Sequence, residues 1–186
     1  MKNIVCLLEE PSAKEMLEAI LPQIIDNEIS IHYVVFEGKN DLEKKIIKRI
    51  RHWQKPDSYF LIMRDKDSGD CIDIKSKLKD KVLETGKSEQ SIIRIACHEL
   101  ESFYLGDLKA VELGLNIPRL SKIQSKKQYR SPDNLANPAQ ELIRLSKNNY
   151  QKIAGSRSIA PHLKIDGSNK SHSFNVLISG IKTLLK

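Results

Sequence analysis

The sequence predicts an α/β fold in which a mostly parallel sheet is covered by helices on both faces. Short apolar segments alternate along the first half of the chain with helical patterns of about a dozen residues. The apolar segments are nearly continuous, which is typical of strands buried on both faces of a parallel sheet. Acidic residues gather where three of these segments end. Alternation of this kind indicates successive βαβ units.

Strands and helices can be assigned in order through the first half. The first strand, 3–8, is followed by a helix that we expect to begin with a capping box formed by Ser12 and Glu15. Apolar residues at helical spacing between 42 and 50 indicate a second helix, and Asp70 is expected to cap a third. The remaining strands are predicted at 29–36, 59–63 and 91–97.

The second half is less regular. A short helix is predicted at 108–113 and a final apolar-periodic helix at 174–185, with a polar stretch at 118–132 between them. Another helix is expected to start at Asn137 and Pro138, because Asn favours the cap position and Pro the first turn. We therefore divide the chain at residue 118. The predicted parts are an α/β domain, 1–118, and a basic, mainly helical extension packed on it, 119–186.

Charge is distributed unevenly between these two parts. Residues 1–118 carry 18 Lys and Arg against 21 Asp and Glu, whereas residues 119–186 carry 13 against 3. A strongly basic segment beside acidic residues suits a protein that handles a polyanion, so nucleic acid is the predicted partner. The alternative is a solvated basic tail that keeps the protein soluble. Because only 5% of the residues are aromatic, we expect nucleic-acid binding directed at the backbone.

Several classes of protein are disfavoured. No apolar run approaches the roughly 18 residues of a membrane span, and the first residues do not resemble a secretory signal, so a cytoplasmic location without a membrane partner is predicted. Three widely spaced cysteines argue against a disulfide framework or a zinc site. The size is compatible with a homodimer, although no heptad or exposed apolar stripe indicates one.

Carboxylates at the ends of the predicted strands form a candidate metal site. Glu9 closes the first strand, Asp65 and Asp67 follow the third, and Glu101 follows the fourth. Alternate residues of an extended segment point the same way, so Asp65 and Asp67 are expected to share one ion. Oxygen ligands of this kind suit Mg²⁺ or Mn²⁺. The alternatives are a solvent-facing Glu9, turn and helix-cap chemistry alone for residues 67–70, and, for Glu101, a helix N-terminal carboxylate that complements the macrodipole.

Four basic residues are candidates for phosphate binding. Lys39 follows the second strand, Arg64 precedes Asp65, and Lys152 and Arg157 lie in a segment rich in phosphate-binding chemistry. Gly155 in that segment would let backbone N–H groups approach an anion. A surface turn followed by a capped helix would use the same residues, so the sequence leaves both interpretations open.

A first strand that ends in Glu9 and a later strand that ends in Asp65-Lys66-Asp67 resemble the Toprim fold of topoisomerases, bacterial primases and OLD-type nucleases. Nearly the whole chain is more closely similar to a bacterial Toprim-like family known mainly as a domain of unknown function. The blocks that carry this similarity are 9–12, 36–39, 64–71, 96–107, 129–133 and 150–163.

The resemblance implies a divalent-metal-dependent nuclease or related phosphodiesterase. Glu9 matches the Toprim glutamate, a general acid/base or metal ligand, while Asp65 and Asp67 match the metal-binding aspartates; Glu10 stands where Toprim proteins usually have Gly. It also implies a nuclease of prokaryotic defence that works beside an ATPase partner. Two other classes remain open: a non-catalytic binding subunit with a vestigial acidic site, and a phosphoacceptor of the receiver type, which fits less well because no suitable Lys follows the last strand.

Overall fold

The computed structural model describes residues 1–185 and confirms an α/β fold built on a four-stranded, all-parallel sheet. The strand order is β2-β1-β3-β4, and this arrangement is consistent with a Toprim-like fold. The strands are β1 (Asn3–Leu8), β2 (Ser30–Val35), β3 (Ser58–Asp65) and β4 (Ser91–Ala96).

Helices follow each strand and fill the second half of the chain. They are α1 (Pro11–Ile20), α2 (Lys39–Arg51), α3 (Cys71–Leu83), α4 (Glu101–Leu105), α5 (Leu108–Gly114), α6 (Lys127–Arg130), α7 (Pro138–Leu145), α8 (Lys152–Ile159) and α9 (His172–Leu184). Within residues 1–185, none of these helices combines the length and the apolar character that crossing a membrane requires.

The sheet separates two hydrophobic clusters. Alternate residues of β1 face opposite sides: Val5 and Leu7 pack towards α2 and α3, whereas Ile4, Cys6 and Leu8 join the larger cluster on the other face. Burial on both faces explains why β1 and β3 are nearly continuous apolar runs. The larger cluster unites residues from both sides of position 118, among them Met16, Leu61, Ile159, Phe174 and Leu177.

Of two helix caps predicted from the sequence, the structure lacks the one at α1 and contains the one at α3. The capping box of Ser12 and Glu15 is wrong, because α1 already begins at Pro11 with Glu10 at the cap position, and the Ser12 hydroxyl bonds the Glu10 carboxylate. Asp70 does cap α3, since its Oδ1 accepts hydrogen bonds from the N–H groups of Ile72 and Asp73 at 2.8 and 3.0 Å.

Candidate metal centre

The carboxyl ends of β1, β3 and β4 lie side by side at one edge of the sheet. Leu8 pairs in register with Met63, and Asp65 pairs with Ala96. Strand β3 extends beyond the predicted end at 63 because β4 continues to pair with it through Asp65. Residues that leave these three strands therefore enter the same region, as ligand sites of open α/β sheets require.

Asp65 is a buried carboxylate, with 7% of its surface exposed. Its Oδ2 accepts a hydrogen bond from the Leu100 N–H at 3.2 Å. Burial raises the pKa of Asp65 well above its usual range, and the negative charges of Glu10, Glu101 and Glu9 raise it further. Three other acidic side chains thus lie near enough to Asp65 for their charges to act on it. We call Glu9, Glu10, Asp65 and Glu101 the acidic cluster.

Glu9 is oriented by the backbone and by a cation. Its Oε2 accepts a hydrogen bond from the Asp65 N–H at 2.9 Å and lies 3.8 Å from Nε of Arg64. Burial raises the pKa of Glu9, although the Asp65 N–H and the Arg64 charge oppose that shift. Arg64 is itself buried and also pairs with Glu43 on α2, so it links the first carboxylate to the helix behind it.

Glu101 begins α4 and is fully buried. The Tyr150 hydroxyl donates a hydrogen bond to its Oε1 at 2.8 Å, whereas Oε2 is buried without any partner. Burial raises the pKa of Glu101, and the Lys152 charge and the Tyr150 hydrogen bond lower it by less. A buried carboxylate oxygen without a donor is costly, and a cation, a proton or an ordered water would satisfy it.

Gly155 on α8 makes room for Tyr150 rather than for an anion. A Cβ at position 155 would lie 2.3 Å from an atom of the Tyr150 ring, and the Gly155 N–H donates to the carbonyl of Gln151. The prediction that Gly155 opens the backbone to phosphate is therefore wrong. Close packing of Gly155 against Tyr150 instead places the tyrosine hydroxyl on Glu101.

Lys152 and Lys39, predicted to bind phosphate, both pair with carboxylates here. Nζ of Lys152 lies 3.5 Å from Oε2 of Glu10. Burial lowers the pKa of Lys152, but the charges of Glu101, Glu10 and Asp65 outweigh that effect and the pKa is raised. Lys39 donates to Oδ2 of Asp67 at 2.7 Å, and this hydrogen bond raises the pKa of the lysine.

Asp67 does not align with Asp65 as the alternation of an extended segment would require. Strand β3 ends at Asp65, and Asp67 adopts a left-handed backbone conformation with φ of +52°. Its N–H bonds the carbonyl of His98 at 2.7 Å, and its side chain lies at the rim with Lys39. The expected shared orientation is wrong because the chain turns away from the sheet. Asp67 still acts on Glu9 through its charge.

Arg157 and Glu99 lie outside the acidic cluster. Arg157 forms a two-pronged ion pair with Glu15 on α1, at 2.7 and 2.9 Å. Glu99 precedes α4, and its Oε2 accepts a hydrogen bond from the Ala139 N–H at 2.9 Å. Both side chains are used to join elements of the fold.

The sequence model of one family matches residues 8–182, which span the acidic cluster and most of the second half of the chain. The chain belongs to the DUF4276 family. This family is described as a domain of unknown function. No curated protein and no solved structure shows significant similarity to the chain.

The side chains of the acidic cluster are the possible ligands for a divalent ion in this DUF4276 domain. Among residues 1–185, no group of three or more His, Cys, Asp or Glu side chains is arranged to hold a metal as it stands. Arg64, Lys152 and Lys39 pair with carboxylates in and beside the cluster. The unpartnered Oε2 of Glu101 and the raised pKa values of Asp65 and Glu9 nevertheless fit a site for a hard cation.

Some residues of the DUF4276 site were missed by sequence reasoning. The sequence around Tyr150 indicates no role for its hydroxyl, and only the tertiary contact with Glu101 reveals one. Glu43 carries no sequence signal as the partner of Arg64. Glu10 was noted as an extra carboxylate, and the structure pairs it with Lys152 from the other end of the chain.

Proposed function

We propose that the chain is a Mg²⁺- or Mn²⁺-dependent phosphodiesterase of the Toprim-like type that cleaves nucleic acid. The observation that carries this proposal is the buried, unpartnered Oε2 of Glu101, set among carboxylates that raise the pKa of Asp65. Acidic groups held together against their own repulsion at a ligand-binding edge are typical of functional sites.

Glu9, Asp65 and Glu101 would hold the ion, with Asp67 at the rim. When bound, such an ion supplies positive charge that stabilises the charge developing on the oxygens of a phosphodiester. In the alternative role, as general base and not as ligand, Glu9 is suited to accept a proton from an attacking water, because its pKa is raised and it lies beside Arg64.

Lys152 and Lys39 would then change partners. In the present structure they neutralise Glu10 and Asp67. An ion held by Glu9, Asp65 and Glu101 would lie beside these two carboxylates. Its charge would weaken the attraction that holds the two ammonium groups, and both could donate to phosphate oxygens. Lys152 and Lys39 would therefore become available to bind phosphate only when the acidic cluster is neutralised. Arg157 takes no part in this scheme, because Glu15 holds it on α1.

The test is a calorimetric titration with MnCl₂ followed by cleavage assays. Glu101→Gln removes the charge and keeps the shape, and Asp80→Asn on the exposed side of α3 is the matched control. We expect Mn²⁺ affinity to fall about tenfold or more in Glu101→Gln and to be unchanged in the control. Labelled DNA and RNA, single- and double-stranded, should be cleaved by the wild type with Mn²⁺ and not with EDTA. Undiminished cleavage by Glu101→Gln would refute the assignment.

A second candidate function is a non-catalytic nucleic-acid- or protein-binding subunit with a vestigial acidic site. It is favoured by the ion pairs of Glu9 with Arg64 and Glu10 with Lys152, which already neutralise part of the cluster. This function predicts oligonucleotide or protein binding without calorimetric Mn²⁺ binding, even when an oligonucleotide is present to complete the coordination.

We also propose that the protein acts in prokaryotic defence with an ATPase partner. The resemblance to OLD-type nucleases supports this, and no contact in the fold bears on it. Its test is phage plating on the native host, where wild type and not Asp65→Asn should lower the plaque count. The cytoplasmic location and the homodimer stay predictions.

A further inference from the structure

Helix α2 is strongly basic, although residues 1–118 as a whole carry more acidic than basic side chains. Six of its 13 residues are basic and two are acidic. Its apolar stripe packs on the sheet, so the cations project from the opposite side. The exposed ones are Lys39, Lys44, Lys45, Lys48, Arg49 and Arg51.

The C-terminal half of α2 borders a groove with a volume of about 380 Å³. The groove is lined by Lys45, Lys48, Arg49, His52 and Trp53. Lys45 pairs with Asp41 on its own helix. Lys48 and Arg49 have no carboxylate within 4.0 Å among residues 1–185. Two cations in a concave site are therefore free to bind an anion.

Trp53 is the single tryptophan of the chain, and it is fixed in place at this groove. Its indole N–H donates to Oγ of Ser58 at 3.0 Å, and its ring lies 5.3 Å from that of His32 at a tilt of 57°. The side chain is only partly buried, so a portion of the ring remains open to the groove. An anchored indole beside free cations suits a ligand that has both a phosphate and a flat apolar ring.

We infer that this groove binds a nucleic-acid strand, with phosphate oxygens on Lys48 and Arg49 and an unpaired base against Trp53. The cations alone would accept any polyanion, whereas the indole favours one that carries bases. The choice of nucleic acid as the ligand rests on the proposed function. Binding at the groove requires neither the metal nor cleavage.

The groove lies at the other end of α2 from Lys39, which contacts Asp67 beside the acidic cluster. A helix of 13 residues is about 20 Å long. A strand with the duplex spacing spans this length with about six nucleotides, and a more extended unpaired strand spans it with fewer. A strand anchored at Trp53 can thus extend along α2 towards the acidic cluster, which places the docking surface on α2.

The test uses the intrinsic fluorescence of Trp53, which reports on this groove because it is the only tryptophan. The full chain is titrated in EDTA with a short oligothymidylate, with a blunt duplex, and with poly-glutamate of matched charge. Lys48→Glu/Arg49→Glu alters the groove. Lys126→Glu/Lys127→Glu is the matched control, since it changes net charge equally on exposed residues of the segment 119–186. Far-UV circular dichroism verifies folding of both variants.

We expect oligothymidylate to quench the wild type, and the duplex, whose bases are paired, to quench it less. The groove variant should bind about tenfold more weakly, and its slope of log affinity against log salt should fall by about 1.4, or about 0.7 for each lost phosphate contact. The control should stay within about twofold of the wild type.

A second variant separates stacking from charge. Trp53→Phe removes the fluorescent probe, so its affinity is measured by anisotropy of a labelled oligothymidylate. Weaker binding with an unchanged salt slope is expected, because a ring contact releases no counterions. Equal losses in groove and control variants would overturn the inference, as would equal quenching by poly-glutamate. Mn²⁺ titration of the groove variant distinguishes the two proposals. If the groove inference fails while the variant binds Mn²⁺ with unchanged affinity, the proposed function is not affected.

Discussion

At the scale of single residues, Asp65 is kept in an unfavourable place. It is buried, it has one hydrogen bond from the Leu100 N–H, and three other carboxylates act on it. Desolvation of Asp65 and repulsion by the other carboxylates both destabilise the folded state, and both raise the pKa of Asp65. Residues that reduce stability in this way are characteristic of sites retained for function.

Replacing Asp65 with Asn should stabilise the metal-free protein. Asn keeps the oxygen that accepts from Leu100 and removes the charge, so we expect the free energy of unfolding at pH 8 to rise by about 1–2 kcal/mol. Calorimetric Mn²⁺ binding should be lost in the same variant. Asp80→Asn, on the exposed side of α3, should change the free energy of unfolding by less than about 0.5 kcal/mol. A destabilised Asp65→Asn would show that the charge supports the fold.

The gain from Asp65→Asn should depend on pH. A carboxyl whose folded pKa is raised contributes stability that is fully present below its unfolded pKa of about 4 and is lost as pH rises through the folded value. Asn does not titrate, so the difference in unfolding free energy between variant and wild type should grow from pH 4 towards pH 8. Urea denaturation at several pH values in EDTA measures this difference, and a constant difference would contradict it.

At the scale of elements, the N-terminus of helix α7 is capped by a side chain from a distant part of the sequence. Asn137 occupies its cap position and makes no side-chain hydrogen bond, whereas Glu99 from the segment after β4 accepts from the Ala139 N–H. A carboxylate there also faces the positive end of the helix dipole. The contact joins the end of β4 to the second half of the chain, close to Glu101.

Glu99→Ala should therefore lower the free energy of unfolding by about 1 kcal/mol, the usual cost of losing a helix cap. Asn137→Ala is the matched control and should cost less than about 0.5 kcal/mol, since its side chain makes no such bond. Mn²⁺ affinity should be unchanged in both variants. Urea denaturation and calorimetry measure the two quantities, and a loss of Mn²⁺ binding in Glu99→Ala would make Glu99 a ligand.

At the scale of the whole molecule, the second half of the chain completes the core of the first. Helix α8 packs on α1, and α9 packs on β4. Buried side chains of both helices belong to the same hydrophobic cluster as β1, including Ile159, Phe174 and Ile181. Removing the second half would expose this surface, so the two predicted parts should unfold together.

Denaturant unfolding should accordingly be one cooperative transition. Trp53 fluorescence reports on the cluster beside α2, and far-UV circular dichroism reports on all helices, including those after residue 118. The two signals should have the same midpoint within error. Separate midpoints would show that 1–118 and 119–186 are independent folding units. The measurement belongs in EDTA, where no metal links the parts.

The sequence by itself determined the α/β class, the approximate positions of the four strands, and the gathering of acidic residues at one edge of the sheet. These depend on local patterns: apolar runs of strand length, helical spacing, and cap residues such as Asp70. Tertiary structure alone decided which side chains meet. Tyr150 reaches Glu101 and Lys152 reaches Glu10 across long stretches of chain, and Asp67 is turned aside by its left-handed backbone. Spacing along the chain does not encode such contacts, because they arise from the packing of elements distant in sequence.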